Sequence, residues 1–217
     1  MAKGPEYRVQ FRRRREGRTN YYLRRRLLMS KSMRYVVRKS LNHLIVQLIS
    51  PKTQGDQTVV TASTKELQSN YGWKAGTGNL PAAYLAGYLA GKRARAQGVE
   101  RAILDIGLYS CVSGSRILAA VKGGLQAGLE IPVAENILPD ENRVRGVHIK
   151  QYYEKISSGQ LKASKTQFAK ISATGFDLLK LPEHVEEVLK KIDQSFQVEK
   201  TAVKSSKKTC KTPKREV

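Results

Sequence analysis

Ala102-Ile103-Leu104-Asp105-Ile106, bounded by Arg101 and Gly107, is the stretch that decides the fold. A short apolar run of this kind is the pattern of a buried strand in a parallel pairing. Upstream lie three segments of strand character, residues 34–40, 43–50 and 58–64, rich in Val, Ile and Thr. The links between them, Ser40-Leu41-Asn42 and Pro51-Lys52-Thr53-Gln54-Gly55-Asp56, are short enough to favour an antiparallel meander. Asn79 as cap, Pro81 in the first turn and Gly98 at the end then frame a helix. Its Ala82, Ala83, Ala86, Gly87, Ala90 and Gly91 are small, which lets it lie close to a sheet. Downstream of the apolar run come a loop, a periodic helical segment over 115–129 and a further short strand expected over 131–134. Three strands, helix, strand, helix, strand is the order of an α/β layered domain with a mixed sheet.

The flanks differ in kind from this centre. The first forty residues hold fourteen Lys and Arg against two acids, and the last twenty hold seven against two. Of the formal net charge of +22, only +5 therefore falls on the 157 residues between. Basic arms on a near-neutral body point to a polyanion, because segments with so little to bury gain order from the partner. Four regions follow: a basic arm with a short helix over 1–33, an α/β core over 34–150, a helical extension over 151–197 and a disordered basic tail over 198–217.

Within the arm, residues 5–19 read as extended, and Asn20 is placed to cap a helix carrying Leu23, Leu27 and Leu28 beside Arg24, Arg25 and Arg26. Within the extension, 147–158 reads as a short helix and 182–196 as a longer one. Val185, Val188, Leu189, Ile192 and Phe196 recur there at helical spacing, so that helix is expected to dock on the core.

Cys111 and Cys210 are too far apart in kind and position to indicate a disulfide framework or a metal pair, and a reducing cytoplasm fits them. No apolar h-region precedes Arg12, and residues 80–91 fall short of the roughly 20 that a membrane span needs. A soluble protein without a secretory signal is therefore expected. His43, His148 and His184 stand singly, and no nucleophile–base arrangement emerges from spacing. Neither catalysis, a cofactor nor a metal is called for.

Arg12 to Arg15, Arg18 and Arg24 to Arg26 form the sharpest chemical signal, since guanidinium groups bind phosphates through two bonds and stack on unpaired bases. Tyr7, Phe11, Tyr21 and Tyr22 are interleaved with them. Aromatic faces among arginines suit RNA, where a targeting peptide would need charge alone. The connection from Gly107 to Arg116 would join a strand to a helix N-terminus, where free N–H groups and the hydroxyls of Ser113 and Ser115 can meet a phosphate; an ordinary βα loop is the alternative. Asp105 is read as a structural acid, paired or capping, because two-metal hydrolysis needs several converging carboxylates. Trp73, in a Gly-rich loop, either seals the edge of a core or stacks on RNA or a protein neighbour.

Taken as an ordered set, several segments carry a resemblance. They are Phe11-Arg12-Arg13-Arg14-Arg15-Glu16-Gly17-Arg18-Thr19-Asn20-Tyr21, Arg34 to Ser40, Gly72-Trp73, Asn79 to Gly87, Leu104 to Leu108, Gly114-Ser115-Arg116, Lys122-Gly123, Ala127 to Pro132, Pro139 to Arg143 and Arg145-Gly146. From about residue 4 to 150 the chain resembles the large-subunit ribosomal protein eighteen family, in its archaeal form related to the eukaryotic protein five. The resemblance implies a ribonuclease H-like α/β core without nuclease activity. It also implies a place in the central protuberance, with 5S rRNA held against the large, 23S-type rRNA and the ribosomal protein five family as neighbour. The RNA-contacting positions it implies are the arm (Tyr7, Arg8, Phe11, Arg12 to Arg15, Arg18, Tyr21, Tyr22, Arg24 to Arg26, Lys31), then Arg34, Trp73, Thr77, Asn79, Ser113, Ser115, Arg116, Arg143 and Arg145. Two departures stand out. Ser32-Met33 precedes Arg34 where a proline is common in the family, and Ser113 stands where a basic residue is expected. A ribonuclease H-like enzyme and a general RNA chaperone are the alternative functions.

Overall fold

Strands β1 (Arg34–Lys39), β2 (Leu44–Ser50) and β3 (Gln57–Ser63) form the antiparallel meander that their short links require. The computed structural model describes residues 4–160 and 167–208. β4 (Ile103–Asp105) lies parallel to β1, pairing Val36 with Asp105, so the sheet order is β3-β2-β1-β4. Alternate residues of the strands face one way: Tyr35 and Val37, Leu44, Val46 and Leu48, Val60 and Ala62 are all buried in a single core. The same face receives the helix α4 (Leu80–Ala96), capped by Asn79 Oδ1 accepting from Ala82 N, and α5 (Arg116–Gln126).

Glycine sets how closely these two helices cross. A Cβ on Gly87 would lie 1.9 Å from the Ala120 carbonyl oxygen, and one on Gly123 would lie 2.2 Å from that of Tyr84. No side chain fits at either position. The Tyr35 hydroxyl reaches from the sheet into this crossing and donates to Ala120 O at 2.9 Å. One hydrogen bond thus ties β1 to the helix layer where the backbones are nearest, and it satisfies a fully buried phenol.

Five features depart from the sequence expectations. Arg12–Arg15 close one helical turn, α1, in place of an extended arm, with Phe11 O accepting from Arg14 N and Arg15 N. The next helix, α2 (Tyr21–Met29), does begin at Asn20, whose Oδ1 accepts from Tyr22 N and Leu23 N. After β3 the chain turns at once into α3 (Thr64–Asn70), capped by Ser63 and carrying Glu66 in its first turn. No strand forms over 131–134. Glu130 makes one bridge with Arg101, and Pro132, which has no N–H to donate, follows too soon for the pairing to continue.

The remaining departures lie near the C-terminus. Beyond α6 (Glu141–Arg145) and α7 (Val147–Ser157), α8 (Ala169–Ala173) is a helical turn that no sequence pattern announced. The last helix, α9 (Leu181–Lys208), runs past Phe196 into the segment expected to be disordered. Residues 197–208 contain neither Gly nor Pro to stop it. Residues 209–217 of the expected disordered tail lie outside the described residues. As the apolar spacing required, Val185, Val188 and Ile192 of α9 are buried in the main core.

Candidate nucleic-acid interface

α2 is laid over the sheet face opposite the helices by a ladder of charges. Arg24 Nη2 lies 2.8 Å from Asp56 Oδ2, and Arg34 Nη2 lies 2.6 Å from the same oxygen. The other arm of the Arg34 guanidinium meets Asp105 Oδ2 at 2.9 Å, and Arg38 Nη2 meets Asp105 Oδ1 at 3.1 Å. Gly107 N also donates to Asp105 Oδ1, at 2.9 Å. Burial alone would raise the Asp56 carboxyl, but hydrogen bonds and charge from Arg24 and Arg34 outweigh it and hold the group below its ordinary value.

Asp105 is therefore a structural acid, saturated by two arginines and a backbone N–H. Arg34, expected among the RNA contacts, must be reassigned: it is 3 % exposed and committed to two carboxylates. Trp73 is corrected in the same sense. It is 1 % exposed, donates Nε1–H to Gly76 O at 3.2 Å and stacks on the His184 ring at a centroid distance of 5.1 Å. His184 belongs to α9, so the ring is packed between the core and that helix.

On the arm, Tyr7, Phe11 and Tyr22 are exposed apolar rings. Arg14 lies 5.5 Å from the Tyr22 centroid, and the Phe11 and Tyr21 rings are 5.5 Å apart. Arginine and aromatic side chains of α1 and α2 thus touch one another. Arg8, Arg12, Arg15, Arg25 and Arg26 are exposed and pair with no acid among the described residues. Arg13 donates Nε–H to Thr19, Arg18 pairs with Glu16, and exposed Lys31 ends the arm with φ +53°.

A second cluster gathers at the carboxyl end of β1 and β4. Arg116 donates to Gly78 O at 2.7 Å, and Thr77 donates to Asn42 O at 2.7 Å, so three loops meet there. Asn79 spends its side chain on the α4 cap. A Cβ on Gly114 would lie 3.9 Å from Arg143 Nη1, which brings exposed Arg143 to the loop of Ser113 and Ser115. Ser113 makes a long hydrogen bond to Ile137 O, at 3.4 Å. Ser115 does not cap α5, and its buried Oγ has no partner among the described residues. Arg145 leans away, 3.5 Å from Glu186 of α9.

Sequence reasoning missed Asp56 and Arg38, the two members that complete the ladder, and Lys39, whose Nζ sits 5.0 Å from the Tyr109 ring centroid. No local signal marks Asp56. It reads as a turn residue until the fold brings β1 and α2 to it. Arg38 did carry a signal, sharing a strand face with Arg34.

Among the described residues no group of three or more His, Cys, Asp or Glu is placed to hold a metal, and no helix is long and apolar enough to cross a membrane. The sequence model of a family described as Ribosomal large subunit proteins 60S L5, and 50S L18 matches residues 5–99, from the arm through α4. The large ribosomal subunit protein uL18 of Methanothermobacter thermautotrophicus is 46 % identical over 194 residues, covering 89 % of this chain and 99 % of that protein. With identity at this level over most of both chains, and the family model matching from the arm through α4, the chain belongs to the archaeal type of the uL18 family, structural proteins of the large ribosomal subunit.

Proposed function

We propose that this ribosomal protein binds 5S rRNA and attaches it to the large rRNA in the central protuberance, beside the ribosomal protein five family. The observation that carries the reading is the exposed arginine and aromatic surface of 4–33, in a segment that holds ten basic residues and two acids, fixed to a folded body through Arg24 and Asp56. Positive charge alone would bind any polyanion. Anchoring gives that charge a shape, which is how proteins distinguish folded RNAs.

On this reading Arg8, Arg12, Arg14, Arg15, Arg25 and Arg26 meet phosphates and bases, with Tyr7, Phe11 and Tyr22 as stacking faces. Arg116, Arg143 and the hydroxyl of Ser113 form a second contact at the loop end. The order β3-β2-β1-β4, with α4 and α5 packed on one face, supports a ribonuclease H-like layering. Asp105, bound to Arg34 and Arg38, then has a structural role in a protein without a reaction of its own.

Recovery of the tagged chain from cells tests this. After dissociation of the large subunit, 5S rRNA is expected to remain with the protein in about equal amount. RNA recovered without enrichment of the 5S species would refute the reading.

A further inference from the structure

Between α2 and the open face of the sheet lies a cleft of about 730 Å³, well within the span of small-ligand sites. Its charges are unequal: Arg13, Arg18, Arg24, Arg34 and Arg38 face two acids, Asp56 and Asp105. Both acids already hold arginine, so the cleft keeps a positive excess without repelling a second anion from a bare carboxylate. Donors remain as well. Arg13 and Arg18 use Nε, on Thr19 and Glu16, which leaves their terminal nitrogens to face an anion.

The rest of the wall is of another kind. Leu23 and Leu27 of α2 line the cleft together with Leu108 and Tyr109, and Leu108, just past β4, is 58 % exposed. A cleft lined by both guanidinium groups and apolar side chains matches one ligand chemistry, a heterocyclic base carrying a phosphate. A base stacked within a helix has no face to offer, whereas loops and bulges splay theirs outward.

We propose that this cleft receives a single unstacked nucleotide, its phosphate on Arg13 and Arg18 and its base against Leu108 and Tyr109. The proposal rests on the reading of the chain as an RNA-binding protein and adds the place where one base is held. The same chemistry is offered by a nucleotide within RNA and by a free nucleoside monophosphate.

The test uses the full chain and 5S rRNA in which single bases are removed while their phosphates stay. One position is expected to lose about tenfold in affinity, as loss of a stacked base does. That loss should shrink in Leu108→Ala, which removes apolar surface from under the base and no charge, and persist in Arg26→Ala, which lies outside the cleft. A free nucleoside monophosphate at millimolar concentration that competes with the RNA for wild type alone would support the cleft and identify the free ligand as a second source. Base-removal losses that all simply add to the effect of Leu108→Ala would overturn the proposal. Equal affinity of wild type for 5S rRNA and transfer RNA would instead refute the 5S reading, and a bulged base coupled to Leu108 would still sustain the cleft.

Discussion

Arg34 of β1 and Asp105 of β4 meet at 2.9 Å across the parallel pairing of these two strands, with side chains 3 % and 7 % exposed. β4 is only three residues long, so its backbone ladder is brief. The ion pair holds it in register and extends through Asp56 to the arm. Support for the short strand and placement of the RNA-facing arginines are thus one network.

Removing the acid from that network should be costly. Asp105→Ala leaves the Arg34 charge buried with only Asp56 to balance it, and breaking a buried pair in this way costs about 3–5 kcal/mol. Asp105→Asn keeps one acceptor and should cost less, about 1–3 kcal/mol. Urea denaturation measures both, and an Asp105→Ala variant as stable as wild type would remove the ladder from the account.

Asp56 predicts how the arm responds to acid. Its folded pKa lies below the unfolded value of about 3.8, so the stabilisation is complete above that value and is lost as pH falls through the lower folded one. Wild type should lose stability on acidification below about pH 4 more steeply than Asp56→Asn does. Coincident pH curves for the two proteins would show that Asp56 holds nothing.

The single tryptophan reports on α9. His184 stacks on Trp73 and accepts a hydrogen bond from Lys74 N at Nε2, 3.2 Å away, while its Nδ1 lies 3.3 Å from Glu187. Burial lowers its pKa, with Lys191 and Lys74 acting in the same direction and Glu187 against them. A lowered folded pKa means the helix is fully docked above about pH 6.5 and loosens as pH falls through the folded value. Trp73 fluorescence should change over that interval in wild type and stay flat in His184→Phe.

Gly87→Ala tests the crossing of α4 and α5. Its methyl group would fall on the Ala120 carbonyl, where only backbone movement can make room. Overpacking of this kind costs about 1–3 kcal/mol and often more where the obstacle is backbone. A melting temperature within a degree of wild type would contradict the close approach.

These particulars show what is legible in the chain and what is not. Val, Ile and Thr runs with short links locate the meander, and Asn20 and Asn79 mark the starts of two helices, because caps and strand patterns are local. α3 is missing from the expected elements although Ser63 followed by Glu66 is the sequence pattern of a helix start; in the fold Ser63 Oγ accepts from Lys65 N, while Glu66 pairs with Arg93. The failed strand over 131–134 has the reverse lesson: apolar residues beside a proline bury Ile131 without giving it a partner. Asp56 cannot be found by any local rule, because only the folded sheet carries a turn residue to Arg24 and Arg34. The same holds for Trp73, whose burial depends on His184, more than a hundred residues away.

Changing Arg24, Arg25 and Arg26 together to Lys separates charge from geometry. Lysine keeps each charge but loses the two-pronged contact, and at Arg24 it weakens the anchor to Asp56. Affinity for 5S rRNA should fall about tenfold with its salt dependence little altered. Binding within twofold of wild type would reduce the arm to a charged tether.

Affinity for 5S rRNA measured beside that for transfer RNA, at near-physiological salt, tests the central claim most directly. The account predicts at least about a hundredfold preference for 5S rRNA. It also predicts that deleting residues 1–33 removes most of it and flattens the plot of log K against log salt, by roughly 0.7–0.9 for every phosphate no longer neutralised. Equal affinity for the two RNAs, with an unchanged salt slope after the deletion, would contradict it.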